Sequence, residues 1–307
     1  MSKPKVIVLE GPTAVGKTEL SIELAKRING EIISADSMQI YKYMDIGTAK
    51  VNVKERQGIK HYLLDIVEPN ERYSVANFRI DALKTIKKIL SKGKVPIVVG
   101  GTGLYIDTLI YNIKYPEIEV NLKYREELEE QIQKNGMEYL YNKAKEIDEE
   151  AVKKISPNDK KRIMRILEIY HQTGKNKTTM EIESRKEEPP YEYIVFALQM
   201  DREKLYQRIN KRVDLMIEQG LIKEVEDILE KYKIFPTAMQ GLGYKEVVEY
   251  LNGQDTKEDM IDKIKMETRR YAKRQMTWFR KNEDIKWLEA ALPIEENIKM
   301  ILEEYCG

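Results

Sequence analysis

The chain has 307 residues, with 53 Lys plus Arg against 52 Asp plus Glu. Its net charge of +1 neither invites nor excludes a polyanionic partner, so the distribution of charge along the chain must decide. One cysteine, Cys306, and two histidines, His61 and His171, exclude an internal disulfide, a thiolate metal cage and a His-rich metal site. No apolar run approaches the roughly 18 residues of a membrane span, and the N-terminal MSKPKVIVLEG runs straight into a glycine-rich loop, so a cytoplasmic, reduced protein is expected.

The first part of the chain alternates strand-like and helix-like runs, the signature of a parallel α/β sheet. KVIVLE (5–10) reads as a buried strand and TELSIELAKRI (18–28) as a helix. Between them lies GPTAVGKT, Gly11 to Thr18, which matches the phosphate-binding pattern G-x-x-x-x-G-K-[ST] at every fixed position. Gly11 and Gly16 allow the turn, and successive N–H groups with the helix N-terminus then form an anion cradle. Lys17 supplies a full charge and Thr18 a hydroxyl ligand for Mg²⁺.

EIISAD (31–36) and HYLLDI (61–66) read as further strands. Asp36, at the carboxyl end of its strand, can hold Mg²⁺ through water, accept a proton or simply cap its own loop. Ser74 is the expected N-cap of VANFRIDALKTIKKIL, where Val75, Phe78, Ala82, Ile86 and Ile89 form an apolar stripe. VPIVVGG (95–101) is another apolar strand, and it delivers Gly100, Gly101, Thr102 and Gly103 to the same sheet edge. Those glycines permit close backbone approach to a ligand, or make a tight turn with none.

Residues 117–190 are charged and helical, with YREELEEQIQKNG and KKRIMRILEIYHQTG ending near Gly136 and Gly174. YIVFALQ (193–199) returns to strand composition before a long helical C-terminal region. The expected division is therefore an α/β core begun over 1–115, a helical insertion over 116–190, and completion of the core with a basic helical region over 191–307. NDKKRIMR (158–165) is a local basic cluster, and TRRYAKRQMTWFRK (268–281) is a second without an acid. In the latter, Arg270, Lys273, Arg274 and Gln275 fall at helical spacing, with Tyr271, Trp278 and Phe279 interleaved. That pattern suits a nucleic-acid surface with aromatics for stacking, or equally a solvated helix whose Met276 and Trp278 are core residues.

Taken in order, GPTAVGKT, SADSMQIYKYMDIGTAK, HYLLDIVEPNERYSVANF, VGGTGLY, SPNDKKRIMRILEIY, RVDLMIEQGLIKEV, QGLGYKE and TRRYAKRQMTWFRK resemble the tRNA dimethylallyltransferase family, the bacterial tRNA isopentenyl (IPP) transferases, over nearly the whole chain. The resemblance implies a P-loop NTPase-like α/β fold. It also implies transfer of a dimethylallyl group from dimethylallyl diphosphate to N6 of an adenosine beside the anticodon of tRNA, by a monomer using Mg²⁺. The phosphate loop, Gly11, Pro12, Thr13, Ala14, Val15, Gly16, Lys17 and Thr18, would then hold the donor's diphosphate rather than ATP.

By the same resemblance Asp36 is the general base, while Lys17, Thr18 with Mg²⁺, Thr102 and an arginine stabilise the leaving group. That arginine is Arg212 in preference to Arg208. Asp36, Ser37, Met38, Gln39, Thr102, Arg125 and the stretch Lys161, Arg162, Ile163, Met164 and Arg165 align with tRNA contacts. Arg270, Lys273 and Arg274 of the basic C-terminal helix are expected to add to them. Ser156 replaces a histidine that often precedes PND in the family, and the cysteine count excludes the C-terminal zinc finger of eukaryotic members. Two rivals share these motifs: a P-loop kinase that uses ATP, and a non-catalytic RNA-binding protein.

Overall fold

The computed structural model describes residues 3–115, 118 and 120–307. Apolar β-branched runs build six parallel strands: β1 (Lys5–Glu10), β2 (Gly30–Ser34), β3 (His61–Tyr62), β4 (Val95–Gly100), β5 (Glu192–Gln199) and β6 (Lys286–Glu289). They pair in the order β3-β2-β4-β1-β5-β6. A parallel sheet is covered on both faces, so its strands read as continuous apolar runs. In β1, Ile7 and Leu9 join the core on one face, and Val6 and Val8 join the core on the other.

The helices in chain order are α1 (Lys17–Arg27), α2 (Val75–Leu90), α3 (Gly103–Ile110), α4 (Leu122–Ile147), α5 (Glu149–Val152), α6 (Lys160–Thr173), α7 (Lys177–Arg185), α8 (Arg202–Glu218), α9 (Leu221–Lys231), α10 (Tyr244–Leu251), α11 (Lys257–Phe279) and α12 (Ile294–Cys306). Ser74 caps α2 as expected, its Oγ accepting the Asn77 N–H at 3.2 Å while the Asn77 side chain bonds back to the cap. Phe78, Ala82, Ile86 and Ile89 bury the expected stripe, and Phe78 stacks on Tyr105 at 4.2 Å. None of the described helices is long and apolar enough to cross a membrane.

Two expectations need correction. HYLLDI pairs only through His61 and Tyr62, because Leu63 and Asp65 take left-handed φ of 59° and 57° and turn the chain out of the sheet. The C-terminal region is not wholly helical: KWLE forms β6, which adds an edge to the sheet beside β5.

The chain divides into two compact units, one built from both ends through Ile110 and from Pro190 onward, the other spanning Tyr111–Pro189. The expected boundary residue, Pro116, lies outside the described residues. The second unit has its own core of Leu128, Leu140, Ala144, Val152, Ile163 and Leu167. Gly136, at φ 83°, breaks the helical geometry inside α4, and Gly174 caps α6 in the left-handed region.

In the first unit the 34–50 segment is packed, not draped. Ile40, Tyr41 and Met44 are fully buried against α9, α10 and α11. Glu224 of α9 accepts the backbone N–H groups of Asp45 (3.0 Å), Ile46 (2.7 Å) and Gly47 (3.1 Å), and the Tyr244 hydroxyl (2.5 Å). Lys50, whose side chain is buried, donates to the Tyr41 carbonyl and to Asp45 and Asp65. Glu224→Ala removes the acceptor for three backbone donors at once and is expected to cost about 3 kcal/mol. Tyr244→Phe, which loses one hydrogen bond, is expected to cost about 1 kcal/mol. Urea unfolding of the two variants measures the difference.

Candidate active site

The phosphate loop leaves the central strand β1 and turns into α1. Register places Glu10, the last residue of β1, level with Gly100 on β4 and Ala197 on β5. The loops that follow these strands therefore meet at the carboxyl edge, the usual ligand edge of an open α/β sheet. Gly16, at φ 113°, is the left-handed N-cap of α1, a conformation costly for a residue with a Cβ.

A cavity of about 560 Å³ opens there. Thr13, Ala14, Val15, Gly16, Lys17 and Thr18 line it from the loop, Asp36, Ser37, Met38 and Gln39 from the turn after β2, Gly100 and Gly101 from the turn after β4, and Arg208 and Arg212 from α8. Met38, Val213, Met216, Leu242 and Ile264 give it an apolar portion. Arg208 and Arg212, the two arginines between which the sequence posed a choice, lie one helical turn apart and both line it.

Gly11 and Pro12 stand behind the cavity. Their carbonyls each accept a hydrogen bond from Lys17 Nζ at 2.8 Å and hold the ammonium across its own loop. Burial, then the neighbouring Arg212, lower the Lys17 pKa to about 8, against the opposing pull of Asp36 and Glu10. Burial, then Arg208, lower that of Arg212. Among the lining residues the carboxylates are Glu19 and Asp36, so Lys17, Arg208 and Arg212 share the site with two acids.

Of the roles left open for Asp36, the capping of its own turn is the one seen directly. Its Oδ1 accepts the N–H groups of Met38 (2.9 Å) and Gln39 (3.2 Å), which caps the turn. Its Oδ2 accepts none among the described residues, and the carboxylate lines the cavity. Thr102 follows Gly101 and stands against the Asp36 turn: its Oγ1 accepts the Ser37 N–H at 3.1 Å, and its own N–H donates to the Ala35 carbonyl. Thr18 is exposed at the mouth. No described group of three or more His, Cys, Asp or Glu could cage a metal, and the Thr18 hydroxyl at the cavity is a fitting donor for a divalent ion.

The residues expected to face tRNA separate by burial. Within the second unit, Lys161 and Arg162 are exposed, but Ile163 and Met164 belong to the core and offer no side chain to a partner. Arg125 and Arg165 are half-exposed and converge on Glu168, whose side chain is fully buried. Glu168 accepts Arg125 Nε (3.1 Å) and Nη2 (3.0 Å), Arg165 Nη1 (2.7 Å) and the Asn121 N–H (3.1 Å). Burial alone would raise the Glu168 pKa, and the two arginines outweigh it and hold it low.

On α11, Arg270 and Lys273 are exposed and Arg274 lines the cavity. Two of the helix's three interleaved aromatics are committed to packing, while Tyr271 lines the cavity. Phe279 is buried in the core, and Trp278 packs over Gly103 while its indole N–H donates to Asp107.

Sequence reasoning missed several groups. Gln240, Gly241, Leu242 and Gly243, from a motif that carried no assigned role, line the cavity. Tyr271 and Gln275 point inward from α11. Glu10, read only as the end of a strand, is a buried acid beside the loop. Burial, then Asp107, push its pKa up to about 8 against the pull of Lys17. The signal for Gln275 was present: it is the uncharged polar residue in a basic run, at a spacing that can turn it away from the exposed face.

A family model described as IPP transferase matches residues 39–282. The tRNA dimethylallyltransferase of Acetivibrio thermocellus is 56% identical over 284 residues, 92% of this chain and 91% of that protein. That of Halothermothrix orenii is 53% identical over 283 residues, 92% of this chain and 86% of that protein. Among solved structures, the full-length tRNA isopentenylpyrophosphate transferase of Bacillus halodurans superposes with a TM-score of 0.74 at 41% identity, covering 99% of this chain and 96% of that one. A eukaryotic dimethylallyltransferase captured acting on tRNA gives a TM-score of 0.75 at 34% identity, covering 94% of this chain and 74% of that one. With a glycine-rich anion loop, paired arginines and a carboxylate around one cavity, and this likeness along nearly its whole length, the chain belongs to the IPP transferase family of tRNA dimethylallyltransferases.

Proposed function

We propose that this protein transfers the dimethylallyl group of dimethylallyl diphosphate to N6 of an adenosine next to the anticodon of tRNA, acting as a cytoplasmic monomer. The observation that carries the reading is the convergence of Lys17, Arg208 and Arg212 on a cavity that also holds a capped carboxylate, Asp36, and an apolar wall. The cations suit a diphosphate, the apolar wall suits a five-carbon chain, and the carboxylate suits an incoming amine. The relatives' names favour this over the kinase reading, and the turn after β4 presents glycines where many ATPases place an aspartate.

The N6 amine is a poor nucleophile, because its lone pair is delocalised into the purine ring. The protein must therefore stabilise the leaving group strongly. As the allylic C–O bond breaks, the bonding pair departs with the diphosphate, and Lys17, Arg208, Arg212 and the N–H groups of the loop meet the growing charge. Mg²⁺, which the Thr18 hydroxyl would help to hold, would add Lewis-acid stabilisation of the same charge. The new C–N bond leaves N6 cationic and acidic, and Asp36 accepts its proton at Oδ2. A carboxylate is too weak a base to deprotonate a neutral aryl amine beforehand, so proton transfer accompanies or follows bond formation.

The target base must leave its stack to enter the cavity. Exposed Lys161 and Arg162 in one unit, and Arg270, Lys273 and Arg274 in the other, supply charge for the tRNA backbone.

The direct test incubates the protein with Mg²⁺, dimethylallyl diphosphate and unmodified tRNA and weighs the digested nucleosides. One adenosine gaining a five-carbon unit, with an equal amount of diphosphate released, is the expected result; ATP turnover without that product would refute it. Asp36→Ala is expected to lower kcat by about 10²–10⁴-fold while tRNA still binds, measured by single-turnover kinetics and filter binding.

A third expectation concerns pH. The donor's negative charge favours protonated Lys17, so binding takes up a proton once the pH exceeds about 8. Affinity for dimethylallyl diphosphate, followed by calorimetry, should weaken as pH rises above that value. Lys17→Arg, whose guanidinium keeps its proton over this range, should lose the dependence.

A further inference from the structure

Gln275 lies on α11 between residues that face outward and residues that face the core. Lys273 and Arg274 are exposed, while Gln275 retains 6% exposure. Its amide is engaged at both ends. Oε1 accepts the Thr13 N–H at 3.0 Å, and Nε2 donates to the Gly101 carbonyl at 2.8 Å. Thr102, the residue after Gly101, donates its N–H to the Ala35 carbonyl at 3.3 Å. Thr102 in turn accepts the Ser37 N–H, next to Asp36.

The placement answers a specific problem. The β1–β4 ladder ends at the Glu10–Gly100 pair. Beyond it the two chains part, one into the phosphate loop and one into the glycine turn, and the sheet no longer holds them together. Gln275 takes over at that point, with an acceptor for one loop and a donor for the other. The fit is close: a Cβ on Gly101 would collide with Gln275 Nε2. The contact also withdraws the Thr13 N–H from the set of loop donors, which fixes which amides face a phosphate.

We infer that Gln275 is a positioning residue for the transfer reaction, setting the spacing between the phosphate loop and the glycine turn after β4, which Thr102 in turn ties to Ala35 and Ser37 on either side of Asp36. The inference rests on the proposed reading of the cavity as the donor and acceptor site. The side chain acts through Thr13 and Gly101, and touches no reacting atom. An uncharged amide is required, because it presents a donor and an acceptor side by side. An ionised carboxylate offers only acceptors and would repel the Gly101 carbonyl, and an aliphatic side chain offers neither.

The test compares wild type, Gln275→Leu and Gln275→Glu, with dimethylallyl diphosphate and unmodified tRNA, at a temperature where circular dichroism shows each protein folded. Gln275→Leu is expected to lose about 10²-fold in kcat, the scale of a small misplacement of reacting groups, with tRNA affinity retained. For Gln275→Glu the ratio of its kcat to that of wild type is expected to rise as the pH falls from about 8 to about 5, because the protonated acid again supplies one donor and one acceptor.

Glu19, Lys17, Asp36, Arg208, Arg212, Tyr271 and Arg274 in the same cavity, with Glu10 and Asp107 near the loop, are common to both proteins. Their own titration therefore enters numerator and denominator alike. Wild-type kcat in folded Gln275→Leu, or a pH-independent ratio for Gln275→Glu, would overturn the inference. Should Gln275→Leu fail to fold, the Gln275→Glu ratio decides alone. Failure of wild type to form product would instead bring down the functional reading, and this inference with it.

Discussion

Lys17 and Arg212 give up much of their hydration in a cavity lined by only two carboxylates, with Arg208 one helical turn from Arg212. Like charges held together away from water repel one another, and burial with this repulsion lowers the proton affinity of Lys17 and of Arg212. Such an arrangement persists only where a rigid frame imposes it. Here the frame is the parallel sheet: β1 ends where the phosphate loop begins, and α8, which carries both arginines, follows directly after the neighbouring β5. On the proposed reading an incoming diphosphate would relieve the repulsion, so the stress on the protein would become affinity for that ligand and for the charge that develops as its bond to carbon breaks.

The same frame explains why sequence motifs remote from the loop belong to the site. The 34–50 segment carries Asp36 but has little regular structure of its own. Three backbone N–H groups of that segment end on Glu224, and Lys50 ties its far side to Asp45, Asp65 and the Tyr41 carbonyl. The motifs RVDLMIEQGLIKEV and QGLGYKE thus hold the turn that aims the carboxylate, through Glu224 and Tyr244, while Gln240 to Gly243 line the cavity. In the proposed reaction a turn held this firmly would keep the base at a short, fixed distance from the amine.

Helix α11 shows how one basic segment divides its labour. Arg270 and Lys273 stay in solvent, where they can meet a phosphate backbone. On its inner side Gln275 joins two loops, Ala272 and Phe279 enter the core, and Trp278 lies over Gly103. In the second unit Arg125 and Arg165 likewise direct much of their hydrogen bonding to Glu168, while Lys161 and Arg162 stay exposed.

Local pattern alone determined a good deal. The apolar runs of β1, β4 and β5, the cap at Ser74, the stop at Gly174 and the spacing of GPTAVGKT are decided within a few residues, because strand burial, capping and loop chirality are short-range physics. The family was legible too, since eight motifs occurred in order. What the sequence could not show was direction. Whether Ile163 and Met164 are surface or core, whether Gln275 turns inward and whether Arg208 and Arg212 both line the cavity depend on which side of a helix or turn meets the rest of the protein. Glu10 and KWLE were missed for the same reason: a strand end reads alike whether it buries a carboxylate or exposes it, and a short edge strand gains its identity only from the neighbour it pairs with. Packing between segments far apart in the chain settles such choices.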